Sequence, residues 1–183
     1  MRQAAARPNT FAYSALISTC SRAQQWAQAF HVLDEMRKVQ SQPDMVTYTT
    51  LINASEKGKR GREALALLAE ARSQTLRPDV VAYNATISAC EKGQLWQHAV
   101  GLLGEMRSLE LRPDITTYNA SLSACEKGRQ WMLALALLAD TRRWRLVPDI
   151  ITFSAAISAC EKGQSSEHAL GLLKEARLFG LRP

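Results

Sequence analysis

Apolar and polar positions in this chain recur with the period of helices. Tyr83, Thr86, Ile87 and Cys90 stand at i, i+3, i+4 and i+7, which places them on one helical face. Pro78-Asp79 precedes that stripe and suits a helix start, since proline is tolerated there and an Asp carboxylate can accept from the free backbone N–H groups. Gly93, after Glu91-Lys92, reads as a left-handed stop. Ala99, Val100, Leu103 and Met106 form a second stripe of the same spacing, ending before Leu111-Arg112-Pro113. The pattern predicts a hairpin of two helices, each of about a dozen residues, joined by short turns.

The hairpin recurs at a fixed period. Pro43-Asp44-Met45-Val46-Thr47-Tyr48-Thr49, Pro78-Asp79-Val80-Val81-Ala82-Tyr83-Asn84, Pro113-Asp114-Ile115-Thr116-Thr117-Tyr118-Asn119 and Pro148-Asp149-Ile150-Ile151-Thr152-Phe153-Ser154 are variants of one heptapeptide. Pro8-Asn9-Thr10-Phe11-Ala12-Tyr13-Ser14 is a fainter copy, and every step between these prolines, and on to Pro183, is 35 residues. A constant period of that size marks a solenoid, in which each unit buries its core against its neighbours. A lead-in, 1–9, is followed by units 10–44, 45–79, 80–114, 115–149 and 150–183, the last one residue short, together one all-α solenoid domain. Positions are counted from the first residue of each unit, so Val80 is position 1 of the third. Position 20 is always alanine (Ala29, Ala64, Ala99, Ala134, Ala169), which suits a close helix crossing, and position 24 is always leucine (Leu33, Leu68, Leu103, Leu138, Leu173), which suits a core. Gly58, Gly128 and Gly163 repeat the helix stop; Ala23 replaces it in the first unit, where a less clean turn is expected.

Positions 2, 5, 9, 12 and 13 fall together on the first helix, opposite its core stripe. Positions 9 and 12 are polar (Ser18, Asn53, Ser88, Ser123, Ser158; Ser21, Glu56, Glu91, Glu126, Glu161), and position 13 is basic throughout (Arg22, Lys57, Lys92, Lys127, Lys162). Position 2 breaks the pattern with Phe11, Val46, Val81, Thr116 and Ile151, and position 5 carries small hydrogen-bonding groups that vary, Ser14, Thr49, Asn84, Asn119 and Ser154. Two readings stand. In one, position 2 packs on a neighbouring unit, position 5 is a polar residue near a helix start, and the cations are solvated. In the other, the units form a row of slots: apolar wedges flank flat ligands, a variable polar group reads each ligand's edge, and a cation meets a phosphate. Such a ladder suits single-stranded RNA, whose bases can be splayed and read on their edges. An Asn amide offers a donor and an acceptor where Ser and Thr offer a hydroxyl.

Composition narrows the choice. The chain is 46% hydrophobic and 22% charged, ordinary values for a folded protein. Its net charge of +6 mildly favours an anionic partner such as nucleic acid. The longest apolar run, Trp131 to Ala139, falls far short of the roughly 20 residues of a membrane span. Met1-Arg2-Gln3-Ala4-Ala5-Ala6-Arg7 is Arg- and Ala-rich but too short to read as a transit or signal peptide. Cys20, Cys90, Cys125 and Cys160 all occupy position 11 on the core stripe, without the close spacing of metal ligands or a disulfide framework. His31, His98 and His168 have no ligand cluster beside them, and Trp26, Trp96 and Trp131 at position 17 read as packing groups, as does Trp144 over a later turn. No phosphate-cradling glycine loop, metal motif or nucleophile constellation is present. Neither an enzyme, a cofactor, a metal nor a small-molecule substrate is expected.

The period of 35, the Pro-Asp-x-x-Thr-Tyr-Asn start and the Ala-Leu-x-Leu-Leu-x-Glu-Met second helix resemble the pentatricopeptide repeat family over residues 8–183. The wording Asn-Ala-x-Ile-Ser-Ala-Cys-Glu-Lys-Gly is similar to repeats of algal and dinoflagellate members. The resemblance implies a right-handed superhelix of helix-turn-helix units that binds single-stranded RNA in mitochondria or chloroplasts, one base per unit, 5′ to 3′ from the first unit to the last. It implies that position 5 and the last residue of the same unit choose the base: Ser14 with Asp44 and Thr49 with Asp79 for guanine, Asn84 with Asp114 and Asn119 with Asp149 for uracil. The implied tract is 5′-GGUU-3′, its first base the least firmly specified, while Ser154 has no last-position partner. Position 2 residues resemble base-sandwiching groups and the position 13 cations resemble phosphate contacts. An Asp after Pro is also an ordinary helix cap, and one carboxylate can serve both ends. The competing function is a protein-binding scaffold like tetratricopeptide repeats, whose period of about 34 and Trp-x-x-Leu-Gly-x-x-Tyr start do not fit. Self-association through the face of the last hairpin is a further expectation.

Overall fold

The structure, a computed structural model, describes residues 10–180. The lead-in, with Pro8 and Asn9, and residues 181–183, with Pro183, lie outside the described residues. Ten helices of 13 residues each follow one another: α1 (Thr10–Arg22), α2 (Trp26–Lys38), α3 (Met45–Lys57), α4 (Gly61–Ser73), α5 (Val80–Lys92), α6 (Trp96–Ser108), α7 (Ile115–Lys127), α8 (Trp131–Arg143), α9 (Ile150–Lys162) and α10 (Ser166–Leu178). Among the described residues there is no strand.

The first helix of each described Pro-Asp start is capped as its sequence requires. Asp44 accepts from the Thr47 N–H at 2.8 Å, Asp79 from Ala82 at 3.0 Å, Asp114 from Thr117 at 2.8 Å and Asp149 from Thr152 at 2.9 Å. In α7 and α9 the bond is reciprocated, because the Thr117 and Thr152 hydroxyls accept from the backbone N–H of Asp114 and Asp149. Each such cap contributes about 1 kcal/mol.

The turn inside each hairpin differs from the expectation in its left-handed residue. Gly58, Gly93, Gly128 and Gly163 all have negative φ, between −78° and −87°. The residue after each takes the left-handed conformation: Lys59, Gln94, Arg129 and Gln164, at φ 57°, 61°, 55° and 58°. The first unit turns identically at Gln24, φ 57°, so Ala23 does not loosen it. Space accounts for three of the four glycines instead, Gly58 being the exception. A Cβ on Gly128 or Gly163 would enter the ring of Trp96 or Trp131 from the preceding unit, and one on Gly93 would press the backbone of Gly61. Ala23 has no preceding described unit to meet.

The odd-numbered helices pack side by side in one layer. Each even-numbered helix packs on its own partner and, α10 apart, on the odd helix that follows, while successive even helices stand farther apart and meet through long side chains. The odd layer is therefore closely spaced and the even layer open, so the array bends with its odd helices inside. The core lies between the layers: Tyr48, Tyr83, Tyr118 and Phe153 at position 4, Ile17, Ile52, Ile87 and Leu122 at position 8, with Ala29, Ala64, Ala99, Ala134 and the leucines from Leu33 to Leu138, all buried. An ion-pair ladder staples the units. Arg37 reaches Glu70 at 2.5 Å, Arg72 reaches Glu105 at 2.5 Å, Arg107 reaches Asp140 at 2.6 Å, and Arg142 pairs with Glu175. The Tyr48 and Tyr83 hydroxyls donate to Glu70 and Glu105, and burial, aided by those carboxylates, pushes both phenols up to about 12.

Candidate nucleic-acid interface

The first helices carry the polar stripe because their core stripe is committed to the layer behind. Position 2 stands clear of the packing: Phe11, Val46, Val81 and Ile151 are 81%, 65%, 58% and 56% exposed, and Thr116 is exposed too. These side chains are therefore largely exposed, and they form a row along the odd layer.

Position 5 lies deeper, at the seam between consecutive odd helices. Ser14, Thr49 and Asn84 are half-buried, Asn119 is 9% exposed and Ser154 is exposed. The seam brings two of the expected pairs together. The Asn84 Nδ2 lies 3.4 and 3.5 Å from the two oxygens of Asp114, and the Asn119 Nδ2 lies 3.1 and 3.2 Å from those of Asp149. The other two pairs are not joined by a hydrogen bond. The Thr49 hydroxyl donates to the Met45 carbonyl of its own helix at 2.8 Å, and Ser14 donates likewise to Thr10 at 2.9 Å.

A residue type outside the expected set completes the seam. The threonine at position 3 of the next unit meets position 5 of the unit before: Thr47 with Ser14 at 2.8 Å, Thr117 with the Asn84 Oδ1 at 2.6 Å, Thr152 with the Asn119 Oδ1 at 2.7 Å. These threonines are fully buried, and their wheel position reads as core, which hides the role. The available signal is that position 3 is Thr in three units and Ala in two, Ala12 and Ala82. Burial disfavours ionisation of Asp149, yet the Thr152 N–H and hydroxyl and the Asn119 amide outweigh it and hold the carboxyl below its usual value.

The position 13 cations are less free than expected. Lys92 pairs with Glu56 at 2.7 Å, Lys127 with Glu91 at 2.5 Å and Lys162 with Glu126 at 2.7 Å, each bridging to position 12 of the preceding unit. The Ser88 hydroxyl also donates to Glu56, at 2.8 Å. Arg22 and Lys57 have no ion pair among the described residues, since position 12 before Lys57 is Ser21. Between units four and five the stripe deepens into a hollow of about 290 Å³ lined by Ser123, Glu126, Ile151, Ser154 and Ser158. Among the described residues no group of three or more His, Cys, Asp or Glu can hold a metal, and no helix is long and apolar enough to cross a membrane.

Stacked hairpins that repeat one exposed position 2 side chain and one polar position 5 residue, four of them followed by a closing carboxylate, define a modular α-solenoid with equivalent positions in successive units. The PPR repeat family matches residues 8–57, 43–90 and 78–127. The chain belongs to that family. Its fold is shared by the pentatricopeptide repeat protein PPR10 from maize, at 24% identity and a TM-score of 0.79 over 94% of this chain and 25% of that one. PPR10 in complex with an 18-nt psaJ RNA element aligns at 22% identity and a TM-score of 0.71, over 98% and 30%. The PPR domain of Arabidopsis thaliana protein-only RNase P 1, in complex with tRNA, aligns at 13% identity and a TM-score of 0.78, over 91% and 88%. The chain thus spans between a quarter and a third of the length of the maize protein. No curated protein matches it.

Proposed function

We propose that this chain binds single-stranded RNA along its odd-helix layer, one base per unit, and prefers 5′-GGUU-3′. The observation that carries the reading is the junction of Asn84 with Asp114 and of Asn119 with Asp149, which sets an amide beside a carboxylate at two successive seams. An exposed position 2 residue stands on the same helix in each case, the apolar Val81 beside Asn84 and Thr116, with its methyl group, beside Asn119. The solved neighbours add support, since PPR10 and the RNase P domain were each captured with RNA. The expected setting is RNA processing, stability or translation in a mitochondrion or chloroplast. Because Lys92, Lys127 and Lys162 already hold carboxylates, a phosphate must share or displace a glutamate at these steps. Arg22 and Lys57 meet a phosphate without that competition.

The test is a titration of labelled 10-mers carrying GGUU against a scrambled control at two salt concentrations. Binding should favour GGUU and weaken as salt rises. Substituting Asn84→Thr should move the third-base preference from uracil toward guanine; an unchanged preference would remove Asn84 from base selection. A second contact is proposed for the same chain: another copy of it, docked on the outward face of the fifth unit.

A further inference from the structure

We propose that Thr117 and Thr152 are specificity-positioning residues for the base slot of the preceding unit, each locking an asparagine amide so that it shows the ligand an N–H rather than a carbonyl. The inference rests on the RNA-binding reading and deepens it.

Proton accounting carries the argument. A carboxylate only accepts, so the amide edge that faces Asp114 or Asp149 must be Nδ2. The Oδ1 edge then faces threonine, at 2.6 Å for Thr117 and 2.7 Å for Thr152. Each threonine hydroxyl has one proton. It accepts from the aspartate backbone N–H, at 3.1 Å from Asp114 and 3.0 Å from Asp149. Its proton faces two acceptors, and the amide oxygen is the nearer: 2.6 against 2.9 Å at Thr117, 2.7 against 2.8 Å at Thr152. The aspartate oxygen is meanwhile supplied by the threonine backbone N–H. The ring of bonds is closed, and it leaves over the second Nδ2 proton and one lone pair of an Oδ1 that the threonine already holds back in the seam. That proton suits a base carbonyl, which uracil offers beside its ring N–H. A free Oδ1 could instead accept from the exocyclic amine of cytosine.

Unit three shows what alanine does at this place. Its position 3 is Ala82, and Asp79 still caps the helix through the Ala82 N–H. Alanine is therefore compatible with this fold and this cap, so Thr117→Ala and Thr152→Ala should fold. The carboxylate holds Asn119 more closely than Asn84, at 3.1 against 3.4 Å, so loss of the hydroxyl should matter more at the third base than at the fourth.

The experiment compares the full chain with Thr117→Ala, Thr152→Ala and Thr117→Ser on RNAs that carry U or C at the third or fourth base. Thr117→Ala should lower the U-over-C ratio at the third base by roughly 3- to 10-fold, the worth of one neutral hydrogen bond, and leave the other three bases unaffected. Thr117→Ser should restore the ratio. In the RNA-free protein, NMR should show the Asn84 side-chain amide protons exchanging faster with solvent in Thr117→Ala than in wild type. A wild type without preference for GGUU would overturn the RNA reading and leave the amide exchange to judge the lock. A selective wild type whose U-over-C ratio survives Thr117→Ala, or an Asn84 amide that exchanges equally in both, would overturn the lock.

Discussion

Burial governs the reactivity of the position 11 cysteines. It pushes the Cys90 thiol up to about 12 and that of Cys125 up to about 11, and raises Cys160 as well. A thiolate is the reactive form, so these groups are inert near neutral pH. Cys20 is only half-buried, because no described unit covers its side of α1. Titration with a thiol reagent at pH 8 should label Cys20 first and the other three only after unfolding; four thiols reacting at one rate in the native protein would contradict this packing. At the same scale, the proposed base slots draw on more residues than the heptapeptide suggests. Asn84 and Asn119 are legible as candidate selectors because position 5 carries small hydrogen-bonding groups that change from unit to unit. Thr117 and Thr152 are not, since a threonine inside a core stripe looks like filler.

At the level of the helix, two kinds of glycine behave oppositely. Gly128 ends α7 where the Trp96 ring of the preceding unit lies against it. Gly128→Ala should cost about 1–3 kcal/mol through overpacking, and Trp96→Ala in the same chain should recover part of that loss. Gly101, inside α6, has open space where a Cβ would stand, with no atom within 4 Å. Gly101→Ala should therefore stabilise by about 0.5–1 kcal/mol, the ordinary helix-interior preference. Thermal or denaturant unfolding measures both; equal effects at the two sites would show that the tryptophan contact is irrelevant. The turns themselves do not depend on glycine. Lys59, Gln94, Arg129 and Gln164 supply the left-handed residue, stabilised by hairpin closure such as Arg60 N–H to Ser55 at 2.8 Å and Leu95 N–H to Cys90 at 2.8 Å.

Across the described units, the first and the fifth each leave apolar positions uncovered that are buried in the units between them. Ile157, Ala169 and Leu173 are partly exposed in the fifth unit, although the same positions are buried in all four units before it. Leu16 is 50% exposed in the first unit, whereas position 7 is buried in every later one. The charges are complementary: Arg177 and Glu161 on one end, Glu35 and Arg22 on the other, continue the two ladders that join the units within the chain. A head-to-tail contact of this kind does not close on itself, so it should give a mass that climbs with concentration. Light scattering over a concentration series is the check, with Arg177→Glu expected to reduce the association; a constant monomer mass for the wild type at high concentration would rule the contact out.

The helices, their caps and the repeat period follow from local rules, because 3.6-residue periodicity and a Pro-Asp start act within one turn or two. Those features can be read from the chain alone, whereas the sequence left open whether position 2 packs or stands clear, and the structure leaves it exposed. The Asn84–Asp114 and Asn119–Asp149 pairs could be named beforehand only through likeness to a family. Their joining, and the pairing of Lys92 with Glu56, of Arg107 with Asp140 and of Thr117 with Asn84, came from the stacking. Each of these contacts spans between 30 and 36 residues. A period states that units are alike; it does not state how far one unit slides or rotates on the next, and that offset decides which side chains meet. The same offset sets Trp96 and Trp131 against the turns of the next hairpins, which is why Gly128 and Gly163 stand there.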